Sequence, residues 1–131
     1  MKRRTQNKFE NAVIDGARKA FAHYSPKYEQ VWEEARKEVD NVNKDGSISI
    51  RKGVRRLCAG CEKLVRNEEA SVDHISPVMP LGMKRSMIPL DEYIKRLDCD
   101  INNLQVLCNE CHTTKTRQEQ LTRKKIRHFN A

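Results

Sequence analysis

The chain has 131 residues, of which 37% are hydrophobic and 34% are charged, so we expect one domain with a modest core and at most one appendage. Its net charge of +8 indicates either a polyanionic partner such as nucleic acid or a solvated basic surface. No apolar run approaches the roughly 18 residues of a membrane span, and the basic start lacks the apolar segment of a secretory signal. We therefore expect a cytoplasmic protein, in which the five cysteines are metal ligands rather than disulfides.

The first third of the chain predicts two helices. Apolar residues recur at helical spacing from Phe9 to Phe21, and Ser25-Pro26 then supplies a cap and a first helical residue. The apolar stripe of the second helix runs from Tyr28 to Val39, and "NKDGS" at 43–47 predicts a turn. We therefore expect an N-terminal helical extension over residues 1–45, which supplies specificity, a surface for a protein partner, or neither.

The remaining residues, 46–131, mix strand and helix patterns. "SISI" and "EEASVDHI" read as strands, "LDEYIKRL" as a short helix, and "NNLQVLC" as a strand or turn before a long basic helix. This order predicts an α+β fold for a second domain.

Two pairs of cysteines have the spacing of a zinc knuckle. Cys58 and Cys61 form one C-x-x-C pair, and Cys108 and Cys111 form another. Four thiolates in this arrangement close a tetrahedral site and leave no open position, so the zinc would be structural. Two unrelated thiol motifs are the alternative, but a redox protein would need one reactive pair in a thioredoxin-like setting. Cys99 is read as a small buried hydrophobe or an incidental exposed thiol.

An acid and a histidine, Asp73 and His74, end the strand in "SVDHISP". Taken alone, such a pair is usually surface. A zinc shared by the four cysteines would clamp both ends of the segment 58–111, however, and hold His112 near this pair. Because consecutive strand residues point to opposite faces, the two side chains serve one site only if the strand bends there.

The ordered motifs C-x-x-C, "VDHISP" and "DINNLQVLCNECHTTKT" resemble the HNH endonucleases, whose core is a ββα-metal fold. The resemblance covers residues 57–119. It implies a metal-dependent endonuclease that nicks or cuts double-stranded DNA. The segment with "LDEYIKRLDCD" more specifically resembles small enzymes encoded by bacteriophages, including homing endonucleases, which would act in a bacterial host cell.

The resemblance also implies roles for single residues. His74 is the candidate general base, because imidazole titrates near working pH. Asp73 and His112 are candidate ligands of a catalytic Mg²⁺, Mn²⁺ or similar ion. Asn103 would hold the hairpin or orient His74. Glu119 either supports the metal or is solvated.

Two features depart from the simplest family pattern. The 30 residues from Asp73 to Asn103 require an insertion with its own helix. His112 stands where some relatives have Asn, which alters the metal preference.

Basic residues flank the candidate site, and each is either a phosphate contact or part of a solvated face. Lys115 is the best single candidate, since it is closest to His112. The others are Arg117, Arg123, Lys124, Lys125 and Arg127 after the site, and Arg51, Lys52, Arg55 and Arg56 before the first cysteine pair. A non-catalytic zinc module that binds nucleic acid is the alternative function, but such a module has no need of the histidines and the acid.

Overall fold

The computed structural model describes the chain from residue 3 to residue 129, without the side chains of residues 3–7 and of Ser86. Two helices come first, α1 (Arg3–Tyr24) and α2 (Pro26–Glu34). Ser25 takes the extended backbone of an N-cap, and Pro26 opens α2, which suits a residue that lacks a backbone N–H. The predicted pair of N-terminal helices is confirmed.

A three-stranded antiparallel sheet follows, with β1 (Arg36–Val39) beside β2 (Gly53–Leu57) and β2 beside β3 (Leu64–Val65). The prediction that the helical stripe continues to Val39 was wrong. Val39 lies four positions after Ala35, a spacing that fits a continued helix, and valine is also common in strands. Backbone pairing with β2 makes residues 36–39 a strand. Because these strands pair across residue 45, the predicted boundary lies inside one sheet, and the division into two domains stays a prediction.

The turn predicted at residues 43–47 is present between β1 and β2. Gly46 has a φ of 88° there, in the left-handed region that glycine occupies without steric cost. The strand expected in "SISI" is reduced to an isolated bridge between Val42 and Ile48.

A second sheet carries the ββα unit. Strand β4 (Ala70–His74) pairs antiparallel with β5 (Leu104–Cys108), and α4 (Asn109–Phe129) begins directly after β5. The insertion between the two strands contains α3 (Leu90–Leu97), as the spacing requires. Single turns of 3-10 helix occur at Asn67–Glu69, Arg85–Met87 and Ile101–Asn103. The predicted α+β fold with a ββα core is thus confirmed.

The N-terminal helices pack on this unit through two apolar clusters. Ile14 of α1 packs with Tyr93 and Leu97 of α3, and Val31 of α2 packs with Val106 of β5. Burying side chains of this size stabilises a fold by about 1.5–3 kcal/mol each. The packing brings α1, α2 and α3 beside the β4–β5 sheet.

Cys99 is half-buried and packs against the cluster between α2 and β5, in agreement with its reading as a small hydrophobe. In the part of the chain that the structure describes, no helix is both long enough and apolar enough to cross a membrane.

Candidate active site

The four predicted zinc ligands meet at one point. Cys58 and Cys61 lie in the turn from β2 to β3, Cys108 ends β5, and Cys111 lies in the first turn of α4. Their sulfur atoms all lie within 4.8 Å of one another, and Cys61 Sγ is 3.8 Å from Cys108 Sγ. A tetrahedron of Zn–S bonds of about 2.3 Å places its sulfurs about 3.8 Å apart. The side chains therefore fit a zinc ion of the structural type.

Backbone groups prepare this cluster for negative charge. The N–H groups of Cys108 and Cys61 donate to Cys58 Sγ over 3.3 and 3.5 Å. Burial raises the pKa of Cys58, but these N–H donors outweigh burial and lower it to about 6. Hydrogen bonds with the sulfurs of Cys108 and Cys58 raise the pKa of Cys111 to about 12. Before any cation is present, Cys58 is thus favoured as the thiolate, while Cys111 keeps its proton and would release it when a divalent metal binds.

Gly60 keeps room for the fourth ligand. A Cβ atom at this position would lie 3.1 Å from Cys111 Sγ and 3.4 Å from a methyl group of Leu107. A side chain here would displace the sulfur by a few tenths of an ångström, so glycine at this position suits the observed placement of Cys111.

A cavity of about 490 Å³ lies beside the other predicted site. Its lining residues come from α1, α2, β4, the loop after β4, α3 and α4, and include Arg18, Asp73, His74, His112, Lys115 and Glu119. Asp73 and His74, consecutive residues of β4, thus both line one cavity.

Asp73 is held between two groups of α4. Its Oδ1 lies 3.7 Å from His112 Nε2, and its Oδ2 lies 3.1 Å from Lys115 Nζ. The Asp73 side chain is only 14% exposed, so water screens these contacts weakly. Among the described residues, no third carboxylate, imidazole or thiolate lies within ligand distance of this pair.

Lys115 also forms an ion pair with Glu119 over 2.5 Å, one helical turn further along α4. Burial lowers the pKa of Lys115, but its bonds to Glu119 and Asp73 outweigh burial, and the net shift is upward. Lys115 is therefore a fixed positive charge beside Asp73. The contact also shows what Glu119 does in this structure: it binds Lys115.

His74 is half-buried and lies beside a tyrosine hydroxyl and a backbone carbonyl. Its Nε2 lies 2.9 Å from Tyr28 Oη and 3.5 Å from the carbonyl oxygen of Leu97. Burial lowers the pKa of the imidazole, and this effect outweighs the raising effects of the Leu97 carbonyl and of Asp73. The neutral ring, which can accept a proton, is therefore favoured.

Asn103 joins the end of the Asp-His strand to the return strand. Its Oδ1 accepts from Ser76 N over 2.8 Å, its Nδ2 donates to Ser76 O over 3.2 Å, and its carbonyl accepts from Ile75 N over 2.8 Å. Of the two roles considered for Asn103, the contacts favour holding the hairpin.

The predicted phosphate contacts have unequal surroundings. Arg117, Lys124, Lys125 and Arg127 are exposed on α4, as are Arg51 and Lys52 ahead of β2, whereas Arg55 is half-buried. Lys115 forms ion pairs with Asp73 and Glu119. Arg123 is half-buried and donates to the carbonyls of Met79 and Pro80, so it ties α4 to the loop after β4.

Arg56 is buried, contrary to the prediction that it contacts phosphate. It is 6% exposed, its guanidinium lies 4.5 Å from the centre of the Trp32 ring, and it donates to Trp32 O and Asn67 Oδ1. A side chain enclosed in this way has no free donor face for DNA. Residue type and spacing could not reveal this, because the partners of Arg56 lie on distant elements.

Two cavity residues were not assigned to the site from the sequence. Tyr28 was read as core contact, and Arg18 of α1 was not singled out. Both line the cavity. They lie in the helices outside the family motifs, and helical periodicity marks a residue as inward-facing without saying what it faces.

Comparison with known families gives one match. Residues 87–118 match the family described as HNH endonuclease, a segment that holds Asn103, the second cysteine pair and His112 but less than half of the chain. No curated protein and no solved structure matches the chain. With the ββα unit, the cysteine cluster and this match together, the chain carries an HNH endonuclease domain.

Proposed function

We propose that this protein is a metal-dependent DNA endonuclease that hydrolyses phosphodiester bonds and nicks or cuts double-stranded DNA. One observation carries the proposal: Asp73 Oδ1 and His112 Nε2 lie 3.7 Å apart on the wall of a cavity that His74 also lines. A module that only binds nucleic acid has no need of a carboxylate and two imidazoles, one of them desolvated, in one place.

Asp73 and His112 are the proposed ligands of the catalytic ion. Two atoms bonded to one ion at about 2.1 Å lie at most about 4.2 Å apart, so the observed 3.7 Å fits a shared Mg²⁺, Mn²⁺ or similar ion. When bound, such an ion supplies Lewis-acid stabilisation of the leaving oxygen. Lys115 contacts Oδ2, the other oxygen of the carboxylate. It therefore orients Asp73 and leaves Oδ1 directed to His112.

His74 is the proposed general base, which takes a proton from the attacking water. Its burial favours the neutral ring, as this task requires. Asn103 is proposed to act indirectly, as a positioning residue. By holding Ser76 to the return strand, it fixes the backbone that leaves His74 and so fixes the position of the base.

The exposed basic side of α4 is the proposed contact with DNA phosphates. Arg117, Lys124 and Arg127 line a shallow depression on this helix. Lys125 and Arg55 are further candidates. Contacts with phosphate carry no base specificity and weaken with salt. An origin in a bacteriophage or a homing element stays a prediction, as does the cytoplasmic location.

Cleavage of supercoiled plasmid at low salt tests the proposal. Relaxed or linear product should require Mg²⁺ or Mn²⁺, disappear with EDTA and disappear in the His74→Ala variant. His128→Ala, at an exposed histidine near the end of α4, is the matched control and should cleave normally. A protein that shifts plasmid and source genomic DNA on a gel but leaves both intact under every condition is the non-catalytic binding module instead.

A further inference from the structure

Tyr28 connects the candidate base to the end of α3. Its hydroxyl oxygen lies 2.9 Å from His74 Nε2 and 3.5 Å from the carbonyl oxygen of Leu97. The two rings meet edge-on, with centroids 5.6 Å apart and planes at 71°. Tyr28 is 8% exposed and belongs to the core cluster with Leu104 and Val106. Core packing therefore fixes the position of its hydroxyl.

The neutral histidine and the tyrosine can share their protons in two ways. In the first, His74 Nε2–H donates to Tyr28 Oη, and the tyrosine hydroxyl donates to the Leu97 carbonyl. In the second, the tyrosine hydroxyl donates to Nε2, and the histidine proton lies on Nδ1. The second leaves the Leu97 carbonyl without either donor. Leu97 is the last residue of α3, where carbonyls lack intrahelical partners, and an unpaired buried carbonyl is costly.

One further observation favours the first arrangement. The tyrosine hydroxyl is protonated in both arrangements, since burial raises the pKa of Tyr28 to about 12, so the choice depends on the histidine nitrogens. Among the described residues, His74 Nδ1 has no hydrogen-bond partner in the protein, whereas Nε2 has two neighbours. The free nitrogen is thus the one whose lone pair the reaction would need.

We propose that Tyr28 is a positioning residue that holds His74 in the tautomer with its proton on Nε2 and leaves Nδ1 as the basic nitrogen. This inference rests on the proposed function, in which His74 is the general base. It gives α2 a part in the reaction, although α2 lies outside the segment that matches the HNH family. A proton of the attacking water would then pass to Nδ1, while the N–H group of Nε2 stays directed to Tyr28.

Nitrogen-15 NMR of the histidine rings tests the tautomer without any cleavage assay. The chain has four histidines, and the signals absent from His74→Ala identify this ring. In neutral His74 of the unsubstituted chain, we expect Nε2 to show the shift of a protonated nitrogen and Nδ1 that of an unprotonated one. In Tyr28→Phe, which keeps the ring and removes the hydroxyl, we expect a mixture of tautomers.

Cleavage kinetics supply the second measurement. Tyr28→Phe should lower kcat by roughly three- to tenfold, the effect of one neutral hydrogen bond, and leave KM unchanged. Tyr24→Phe is the control for loss of a tyrosine hydroxyl, because Tyr24 is exposed, does not line the cavity and makes no side-chain hydrogen bond with the described residues. It should keep both the His74 spectrum and kcat. Thermal unfolding of both variants separates a lost contact from a damaged core.

Two results would overturn the inference. One is a His74 ring that carries its proton on Nδ1 in the unsubstituted chain. The other is a Tyr28→Phe variant whose tautomer and kcat both equal those of Tyr24→Phe, which would reduce Tyr28 to core packing. If the chain does not cleave DNA but shows the expected spectra, the proposed function fails while the link between Tyr28 and His74 stands.

Discussion

Asp73 and His74 are neighbours in the chain with different contacts. Asp73 lies between the ammonium group of Lys115 and the imidazole of His112. Burial lowers the pKa of His74 and favours its uncharged ring. A carboxylate held beside a second imidazole suits the binding of a cation, and an uncharged imidazole suits the acceptance of a proton.

The pKa of Tyr28 predicts a change of stability in alkaline solution. Burial raises it from 10.0 to about 12, so the folded chain keeps a proton that the unfolded chain loses. The resulting stability is fully present below pH 10 and is lost as the pH rises through 12. Between pH 9 and pH 11 this group should cost about 1 kcal/mol of unfolding free energy.

Denaturant unfolding at the two pH values measures this loss. Tyr28→Phe should lose about 1 kcal/mol less than the unsubstituted chain over the interval. Equal losses in the two proteins would contradict the assigned shift.

Substitution of Arg56 should lower the stability of the fold without removing a contact to DNA. Arg56→Met leaves the Trp32 carbonyl without its donor and removes the contact with the indole ring, which together should cost about 2–3 kcal/mol of unfolding free energy. The salt dependence of DNA binding should not change. Lys124→Met, at an exposed residue of α4, should do the reverse and reduce the salt slope by about 0.9. A reduced salt slope in folded Arg56→Met would contradict the structural role.

The cysteine cluster links elements that few other contacts join. It ties the β2–β3 turn to the junction of β5 and α4, and His112 follows Cys111 directly. We expect one zinc per chain. Structural zinc binds with about 10–16 kcal/mol in small domains, comparable to the whole stability of a domain.

Cys58→Ser should therefore lose the zinc and the cooperative unfolding transition, as metal analysis and thermal unfolding will show. Cys99→Ser is the control, since Cys99 lies outside the cluster, and it should retain one zinc and fold. Full zinc content in Cys58→Ser would remove this cysteine from the site.

The β4–β5 hairpin predicts a separate effect at Asn103. Asn103→Ala loses both side-chain bonds to Ser76. We expect a loss of about 1 kcal/mol in stability and a fall of between roughly ten- and a hundredfold in plasmid cleavage rate through displacement of the base. Asn102→Ala, one residue earlier, should change neither. Similar cleavage by both variants would show that Asn103 does not hold the site.

At the scale of the whole molecule, local signals in the sequence predicted well. The Ser25-Pro26 junction, the turn at 43–47 and the helix at 90–97 depend on neighbouring residues, and all three are present. The cysteine pairs predicted a cluster because metal-ligand spacing is itself local. Strand β1 was missed because four residues without a strong pattern become a strand only through pairing with β2.

Long-range neighbours account for the other differences. Burial of Arg56, the Lys115–Asp73 ion pair and the bond between Tyr28 and His74 each join residues more than 20 positions apart. A single sequence carries no local trace of such contacts. The two N-terminal helices had no assigned role for the same reason, yet Arg18 and Tyr28 line the cavity.

The central claim is that Asp73 and His112 act as one unit beside His74 in metal-dependent cleavage. The most direct test is a double-mutant cycle on the rate of Mn²⁺-dependent plasmid nicking, with Asp73→Asn, His112→Ala and the double variant. Residues that act as a unit give non-additive losses, so the double variant should be no slower than the slower single variant. Losses that multiply, or a single variant that nicks at the full rate, would contradict the account.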